Sequence, residues 1–387
     1  MRESNLRRGF ARGVPLIMPR RGDRLPRIGT GMKLALFHTT LPEPGRKLGG
    51  VELVVHRLAN ALCQHCGLAV TAFSCGNRPE GALYEHVRLF PAQRFTAKLR
   101  RLLILPWALN FVDFSGFDVL HLHGDDWFFV RRTLPTVRTL HGSALREAQF
   151  AGSLKRKISQ YLVYPLEHVS RILATRTLAI GPDAQRLYRA HGMADNGVNL
   201  EVFRPRAKAP YPLLSYVGTW SGRKRGKFLY DTFVGEVLPV LPDAKLFMAS
   251  DFVPRHDSVI DGRFPDEATL AHWLGMSWVF AYPSVYEGFG VAYVEALASG
   301  TPVVTTGNGG ANYVLDGGRY GWICADAEFG AAVVTLLRDP ERREDMASRG
   351  LQRAQRFTWE NVARAHCAIY ENLMVDQYAR AKETGWT

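Results

Sequence analysis

Short apolar runs alternate along this chain with longer segments in which apolar residues recur at helical spacing. Trp278–Tyr282 and Pro302–Thr306 are two runs of strand length, and Val291–Ser299 between them is long enough for about two helical turns. Gly300 is placed to end that helix in the left-handed conformation, just before the second run. This order predicts a strand–helix–strand unit of a parallel sheet, and therefore the α/β fold class.

The beginning of the chain repeats this arrangement. Lys33–His38 has the pattern of a buried strand, and Val51–Leu62 follows it with helical spacing. With 387 residues, 47% of them hydrophobic, the chain is long enough for two domains with separate cores. We predict an N-terminal domain over residues 32–204 and a second domain over 205–370. Residues 1–31 are rich in Arg, Gly and Pro without periodicity, and we interpret them as a disordered basic tail.

Composition narrows the functional class. The net charge of +13 is compatible with a nucleic acid, an anionic membrane surface or an anionic substrate as partner. No apolar run approaches the roughly 20 residues that span a bilayer. The 5 cysteines, an odd number, argue for free thiols in a reducing compartment. We therefore expect a cytoplasmic protein, and the abrupt start of the first strand pattern suggests Met32 as its natural start.

A turn with the sequence Gly-Phe-Gly joins the strand at Trp278–Tyr282 to the helix that follows. Gly288 and Gly290 let the backbone approach a ligand closely, and the helix directs its free N–H groups at an anionic group such as a phosphate. Glu287 lies at the mouth of the turn, and Glu295 lies one turn inside the helix, where a carboxylate can accept hydrogen bonds from the vicinal hydroxyls of a ribose. The alternative interpretation is a tight turn with two solvated carboxylates.

These residues resemble the signature of retaining nucleotide-sugar glycosyltransferases of family 4, which have the GT-B fold. The resemblance covers nearly everything from Met32 onward. It implies two Rossmann-like domains with parallel sheets that face each other across a cleft, and a C-terminal helix, 371–387, that crosses back onto the first domain. It also implies that Glu295 binds the nucleotide ribose. The residues implied to hold the transferred sugar and the diphosphate are Glu287, Gly288, Phe289, Gly290 and Val291.

Two further loops are expected at the donor. The pair Gly49–Gly50 precedes a helix and resembles the first loop of the family, which closes over the donor diphosphate; a plain turn is the alternative. Gly218 ends a strand and is followed by a basic loop, which suits the charge of a leaving diphosphate but also a solvated turn. The family has an Arg directly after this Gly, where the chain has Thr219. We therefore assign the phosphate contacts to the nearby cations Arg223, Lys224 and Arg225, the last at the position of the family Lys.

Histidines and aspartates follow two strands of the first domain. His121-x-His123 places both rings on one face, as metal ligands require, but no acidic or thiol partner stands at suitable spacing, and we predict no metal site. Strand ends of a parallel sheet line the crevice at its carboxyl edge. We therefore assign the acceptor to His121, His123, Asp125 and Asp126. The alternative is that the aspartates cap a helix from Trp127 onward. The resemblance places a catalytic His in the next such loop, at His141.

The resemblance implies a retaining transfer without metal or cofactor, in which a donor phosphate oxygen accepts the proton of the acceptor. Arg225 and Lys224 would stabilise the departing diphosphate, and we expect the donor to be a UDP-linked hexose. One alternative within the enzymes is a GT-B nucleotide-sugar epimerase or glycan phosphorylase. The alternative from another class is a basic nucleic-acid-binding protein, although much of the charge lies in the segment 1–31.

The acceptor is expected to be small and cationic, because carboxylates at the cleft would pair with its ammonium groups. His38–Leu62 and Gly218–Phe233 also resemble glycosyltransferases of aminoglycoside antibiotic pathways. A lipid-linked or polysaccharide acceptor is the alternative, and it would suit the basic, apolar segment Arg94–Trp107. Because Pro106 shortens any amphipathic helix there, peripheral membrane contact is not favoured.

Overall fold

Strands and helices alternate through the whole structure, a computed structural model that describes residues 31–43, 50–90 and 98–383. The elements of the first domain are β1 (Lys33–Phe37), α1 (Gly50–Cys66), β2 (Ala69–Ser74), β3 (Glu85–Arg88), α2 (Lys98–Ala108), β4 (Val119–Leu122), β5 (Thr136–Leu140), α3 (Ala144–Gln149), α4 (Leu154–Leu173), β6 (Arg176–Ala179), α5 (Pro182–Tyr188) and β7 (Gly192–Met193). Its strands form a parallel sheet in the order β3-β2-β1-β4-β5-β6-β7.

The second domain repeats the architecture. Its elements, with the terminal helix, are β8 (Leu213–Val217), α6 (Gly226–Thr232), β9 (Lys245–Ala249), β10 (Val259–Asp261), α7 (Glu267–Met276), β11 (Val279–Tyr282), α8 (Val291–Ala298), β12 (Val303–Thr306), α9 (Gly309–Val314), β13 (Trp322–Cys324), α10 (Phe329–Arg338), α11 (Pro340–Ala354) and α12 (Trp359–Glu383). The parallel sheet has the order β10-β9-β8-β11-β12-β13. The strand–helix–strand unit predicted around Gly-Phe-Gly is β11, α8 and β12.

Helices cover both faces of the first sheet, which is why its strands read as apolar runs rather than as alternating patterns. In β1, Leu34 and Leu36 belong to the core on the side of α1. Ala35 and Phe37 face the opposite side and share a second core with Leu105 of α2. The carboxyl ends of the strands are thereby left as the open edge, where loops are free to carry functional side chains.

The terminal helix α12 returns to the first domain and packs against α1. Tyr370 Oη lies 2.7 Å from His121 Nδ1, and Arg176 pairs with Asp376 at 2.5 Å. The predicted boundary at residue 204 falls between β7 and β8, the last and first strands of the two sheets. Within the described ranges, no helix has the length and apolar character needed to cross a membrane. Residues 1–30 and 384–387 of the two predicted terminal segments lie outside the described residues.

Candidate active site

A cleft with a cavity of about 320 Å³ separates the two sheets. Its walls are the carboxyl ends of strands from both domains and the starts of the helices that follow, which is where open α/β sheets bind ligands. The first domain contributes the start of α1 and the loop between β5 and α3, including His141 and Ser143. The second contributes Arg223 and Lys224 after β8 and residues 286–292.

Glu287 is the central carboxylate of the second domain's wall. It is 7% exposed, and its Oε1 accepts hydrogen bonds from Tyr282 Oη at 2.7 Å and Ser284 Oγ at 2.9 Å. Arg223 Nη1 lies 2.8 Å and Lys224 Nζ 3.6 Å from the same oxygen. Burial raises the pKa of this carboxyl, but the two cations and the two hydrogen bonds outweigh burial and hold the pKa below its ordinary value. Glu287 therefore stays ionised and fixes both cations at the cleft.

The two cations have further partners that restrict their positions. Arg223 Nη1 donates to the Tyr286 carbonyl at 2.6 Å, and Lys224 Nζ donates to Tyr282 Oη at 2.5 Å. Burial lowers the pKa of Lys224, while the charge of Glu287 opposes that change. Glu287 lies between the two cations, and a second carboxylate of the cavity wall, Glu147, lies 4.0 Å from Arg223 Nε. Two fixed cations at the wall of a cavity can donate charge-assisted hydrogen bonds to an anionic ligand.

Close backbone contacts hold the Gly-Phe-Gly turn between the domains. A Cβ added at Gly181, where φ is 87°, would lie 1.7 Å from the carbonyl oxygen of Gly288, so this contact requires glycine. Gly290 has φ of 90° and immediately precedes α8, whose first-turn N–H groups have no partner within the helix. As predicted from the sequence, the turn brings these amides to the cavity, which is lined by Gly288, Phe289, Gly290 and Val291.

His141 follows β5 and lines the cavity from the first domain. Its Nε2 lies 2.8 Å from Nδ1 of His123, so one ring donates a proton to the other and each fixes the tautomer of its partner. Burial, with smaller contributions from neighbouring cationic groups, lowers the pKa of both imidazoles well below the ordinary value. The cleft therefore meets a neutral His141 whose orientation depends on His123, and His123 acts behind it rather than at the acceptor position predicted from the sequence.

The acceptor role predicted for His121 is wrong, because this side chain is fully buried. Its Nδ1 contacts Tyr370 Oη and its Nε2 contacts Thr139 Oγ1, both at 2.7 Å. Both ring nitrogens thus have protein partners, one of them in the terminal helix α12. His121 connects the sheet of the first domain to the terminal helix instead of facing the cleft.

The acceptor role predicted for Asp126 is also wrong. Its carboxylate is 0% exposed and pairs with Arg132 and Arg138, each at 2.8 Å, while Ser170 Oγ donates to it at 2.7 Å. A charge in this position is stabilised only by such partners, so the carboxylate is unavailable to a ligand. The helix-cap alternative is wrong as well, since the chain makes a turn closed by Phe129 N and the Asp126 carbonyl at 3.0 Å, with no helix at this point.

Asp125 occupies a different position from its neighbour. It is half-buried at the edge of the first domain, with φ of 50°. Thr39 Oγ1 donates to its carboxylate at 2.5 Å, and Arg101 Nε lies 3.4 Å away. Asp125 therefore lies beside the loops that follow β1 and β4, but it is not among the residues that line the cavity.

Arg225 and Gly218 do not line the cavity. Arg225 is directed away from it, because two of its nitrogens donate to the Asp326 carboxylate at 2.8 Å and its guanidinium covers the ring of Phe228 at 4.0 Å. A Cβ added at Gly218 would lie 2.4 Å from Oη of Tyr216 and 2.9 Å from Cδ of Lys224, so this glycine makes room for these two side chains rather than for a ligand. Of the three predicted cations, Arg223 and Lys224 reach the cleft and Arg225 does not.

Glu295 lies one turn into α8 and is half-buried, but it is not among the residues that line the cavity. Burial, followed by the nearby carboxylate of Glu267, raises its pKa to about 7, while Arg57 and Lys224 act in the opposite direction. Arg57 and Glu267 themselves form an ion pair at 2.5 Å between α1 and α7. Of the predicted glycine pair, Gly50 lines the cavity, and Gly49 lies outside the described residues.

Sequence reasoning missed several polar residues of the site, among them Tyr282, Ser284 and Asn196. Tyr282 and Ser284 hold Glu287, and their position at the end of the apolar strand β11 and just after it was the available signal. Asn196 lines the cavity, and its buried Oδ1 has no hydrogen-bond partner among the described residues. The run Asn196-Gly197-Val198-Asn199 was visible in the sequence, but nothing in its pattern indicated which amide reaches the cleft.

Two family models match the chain, one on each domain. The model described as "Glycosyltransferase Family 4" matches residues 48–202, from the start of α1 through β7. The model described as "Glycosyl transferases group 1" matches residues 211–339, from β8 through α10. The two matches thus divide the chain where the two sheets divide.

The chain is similar to curated glycosyltransferases over parts of its length. D-inositol 3-phosphate glycosyltransferase 2 of Catenulispora acidiphila is 33% identical over 114 residues, which are 29% of this chain and 27% of that protein. Phosphatidyl-myo-inositol mannosyltransferase of Mycobacterium leprae is 29% identical over 296 residues, 67% of this chain and 74% of that protein. The first match therefore spans only about a quarter of the relative's length.

Among solved structures, sucrose-phosphate synthase of Thermosynechococcus elongatus superimposes with a TM-score of 0.70 at 21% identity, over 89% of this chain and 100% of that one. Together with the two parallel sheets and the two domain models, this likeness confirms the predicted fold: α/β, with two Rossmann-like domains facing across a cleft in the GT-B arrangement.

Proposed function

We propose that the chain is a GT-B glycosyltransferase that transfers a hexose from a nucleotide sugar to a hydroxyl of a small polyhydroxylated acceptor, with retention of the anomeric configuration. One observation carries the proposal. Glu287 holds Arg223 and Lys224 beside the N-terminus of α8, in a cavity that His141 lines from the other domain.

The donor would lie against the second domain. Its diphosphate would accept hydrogen bonds from Arg223, from Lys224 and from the N–H groups at the start of α8. Glu295, one turn further along α8, would accept hydrogen bonds from the two ribose hydroxyls. On this assignment UDP is the expected nucleotide, and the sugar lies between Glu287 and His141.

In the proposed step, the bond between the anomeric carbon and the diphosphate oxygen breaks, and the diphosphate leaves with the electron pair. The acceptor oxygen forms the new bond on the same face of the sugar, and its proton passes to the departing diphosphate oxygen. Arg223 and Lys224 stabilise the charge that develops on the leaving group, so the proposal includes no metal. A neutral His141 can donate a hydrogen bond to the sugar without adding a positive charge next to the developing oxocarbenium ion.

We place the acceptor against the first domain, near Asp125. A half-buried carboxylate favours an ammonium group on the acceptor, as in the aminocyclitols of aminoglycosides. The names of the similar proteins favour a second candidate, an inositol ring that carries a phosphate or a lipid. Both candidates present a ring of vicinal hydroxyls.

The proposal is tested by incubating the protein with UDP-, GDP- and ADP-hexoses and measuring thermal stability, since a bound donor raises the melting temperature. The stabilising donor is then combined with an aminocyclitol, an inositol phosphate or phosphatidylinositol vesicles, with and without EDTA. We expect a glycosylated product with retained configuration by mass spectrometry and NMR, unaffected by EDTA. Epimerised donor formed without an acceptor would support the epimerase alternative, and the absence of any stabilising donor would contradict the proposal.

A further inference from the structure

Helix α4 directs the polar residues Glu167 and Ser170 inward, beside the partly buried Tyr164, and carries its most exposed apolar residues on the outer side. On the inner face, Ser170 Oγ lies 2.8 Å from Arg138 Nε, and the Glu167 carboxylate accepts hydrogen bonds from Tyr188 Oη and from Ala144 N. The outer face carries exposed large apolar side chains: Leu154, Ile158, Tyr161, Leu162, Val169 and Ile172. Leu154 is 73% exposed and Leu162 65% exposed. A helix on a water-exposed surface normally has the reverse orientation, so this apolar face indicates a partner.

The apolar residues of α4 recur every three or four positions and therefore form one stripe along the helix. From Leu154 to Ile172 the stripe runs about 27 Å at the usual rise per residue. It covers nearly the full length of α4 (Leu154–Leu173). The stripe is thus much longer than a pocket for one side chain, and it fits an extended surface.

Helix α2 adds to the same side of the domain. Leu105 of α2 packs in one apolar cluster with Leu122 of β4. Leu122 is paired in register with Arg138 of β5, and Arg138 Nε donates a hydrogen bond to Ser170 Oγ of α4. Residues paired in register on neighbouring strands point to the same face, so α2 and α4 cover the same face of the sheet. Trp107 is 57% exposed and contacts the exposed ring of Phe111 edge to face. We use the name outer apolar face for the exposed apolar residues of α4 given above together with Leu103, Ile104 and Trp107 of α2 and with Phe111.

The proline that argued against an amphipathic helix does not interrupt α2. Pro106 has no N–H to donate to the carbonyl of Leu102, four positions earlier. The indole N–H of Trp127 donates to that carbonyl instead, at 2.6 Å. Because the lost hydrogen bond is replaced, the helix continues to Ala108 and holds Trp107 on the surface.

The charges around the stripe select the kind of partner. Lys155, Arg156 and Lys157 are exposed at the start of α4, and Arg171 lies at its end; the helix's single carboxylate, Glu167, is bonded inward. Two copies of this helix packed face to face in parallel would bring Lys155 and Lys157 of one copy against the same residues of the other. An anionic lipid surface would instead satisfy these two exposed charges and accept the apolar side chains. Arg156 is already paired with Glu147 at 3.1 Å, and Nε of Arg171 is buried.

We propose that the outer apolar face docks the protein on an anionic phospholipid bilayer. Leu154, Ile158, Leu162 and Ile172 enter the boundary between headgroups and acyl chains, and Lys155 and Lys157 contact the headgroups. The docking is peripheral, through the surface of the first domain. This inference does not depend on the donor or acceptor proposed above, and a soluble acceptor would leave it unchanged.

The test uses the full chain and sedimentation with vesicles of phosphatidylcholine alone or of phosphatidylcholine with phosphatidylglycerol. We expect binding to the anionic vesicles, weak binding to the neutral ones, and a decrease as salt is raised. The double substitution Ile158→Asp with Leu162→Asp should weaken partitioning at least tenfold, and Lys155→Glu with Lys157→Glu should abolish the preference for anionic lipid. Val240→Asp, at a 46% exposed apolar residue of the second domain, is the matched control and should bind as the unchanged protein does.

Both altered residues of the apolar pair are exposed, so the double variant should keep its melting temperature. Failure of the unchanged protein to bind anionic vesicles would overturn the proposal. Equal binding by the double variant would also overturn it, because contact would then come from another part of the chain. A dimer that the double variant dissociates, in a protein that ignores vesicles, would show that the face joins two copies.

Discussion

Replacing Glu287 by Gln should slow sugar transfer much more than it weakens donor binding. The carboxylate accepts hydrogen bonds from Tyr282 and Ser284 and lies 2.8 Å from Arg223 and 3.6 Å from Lys224. Gln keeps the shape but loses the charge that fixes the two cations. One charge-assisted hydrogen bond is worth about 1.5–3 kcal/mol, so kcat should fall roughly 10- to 150-fold.

The same substitution should lower stability moderately. Removing one partner of a buried ion pair costs about 3–5 kcal/mol, and exposure reduces the cost. The side chains of Arg223 and Lys224 remain 26% and 23% exposed, so we expect a loss of about 1–2 kcal/mol in the free energy of unfolding. Denaturant unfolding measures this loss, and steady-state kinetics with varied donor separates kcat from KM.

Asp326→Asn is the matched control for this variant. It also removes a carboxylate from a neighbouring Arg, since Asp326 pairs with Arg225 at 2.8 Å, but the pair does not line the cavity. We expect its kcat to equal that of the unchanged protein. A Glu287→Gln protein with unchanged kcat, or an Asp326→Asn protein with an equal loss, would refute the assignment of Glu287 to the reacting sugar.

Three further predictions concern the rest of the site. Because the pKa of Glu295 is raised from 4.5 to about 7, the folded donor-free protein holds this proton more tightly than the unfolded chain, and its free energy of unfolding should fall as pH rises between those values. Donor affinity should rise with pH through about 7. Glu295→Gln should weaken donor binding and remove both pH dependences, which denaturant unfolding and titration calorimetry measure. His141→Ala should lower turnover at least tenfold with the fold intact. His123→Asn, which keeps a hydrogen-bond donor near the Nδ1 position, should retain more activity than His123→Phe. Equal activities of the two His123 variants would contradict the role of His123 in positioning His141. Asp125→Asn should raise the KM of a cationic acceptor without changing stability, whereas Asp126→Asn should lower the melting temperature without a specific change in that KM.

Local sequence patterns were sufficient for the parts of the site that depend on local structure. The position of Gly288 and Gly290 between a strand-length run and a helix predicted the turn that brings the N-terminus of α8 to the cleft. The basic loop after β8 was assigned to the same cleft, and Arg223 and Lys224 do line it. In each case the chain positions the residue within a few positions of a strand end, so no distant contact had to be known.

The positions of the remaining side chains depend on contacts between residues that are far apart in the chain, and local sequence patterns do not show such contacts. His121 is directed inward by Tyr370, which lies 249 positions later in the chain. Arg225 is removed from the cleft by Asp326, 101 positions later. Since helices cover both faces of the sheets, the pattern of residues along a strand does not show which face meets the terminal helix. The sequence of a loop likewise does not show which of its cations pairs with a distant acidic residue.

The adjacent residues Asp125 and Asp126 show how one such contact affects two surfaces. Asp126 turns into the layer between sheet and helix and draws Arg138 of β5 and Ser170 of α4 to its buried carboxylate. A buried charge is stable only with these partners, so α4 must present its polar face to the sheet. The apolar residues of α4 are then left outside, where Leu162 is 65% exposed. The ion cluster that withdraws Asp126 from the acceptor therefore also helps to orient α4, which carries the longer part of the outer apolar face.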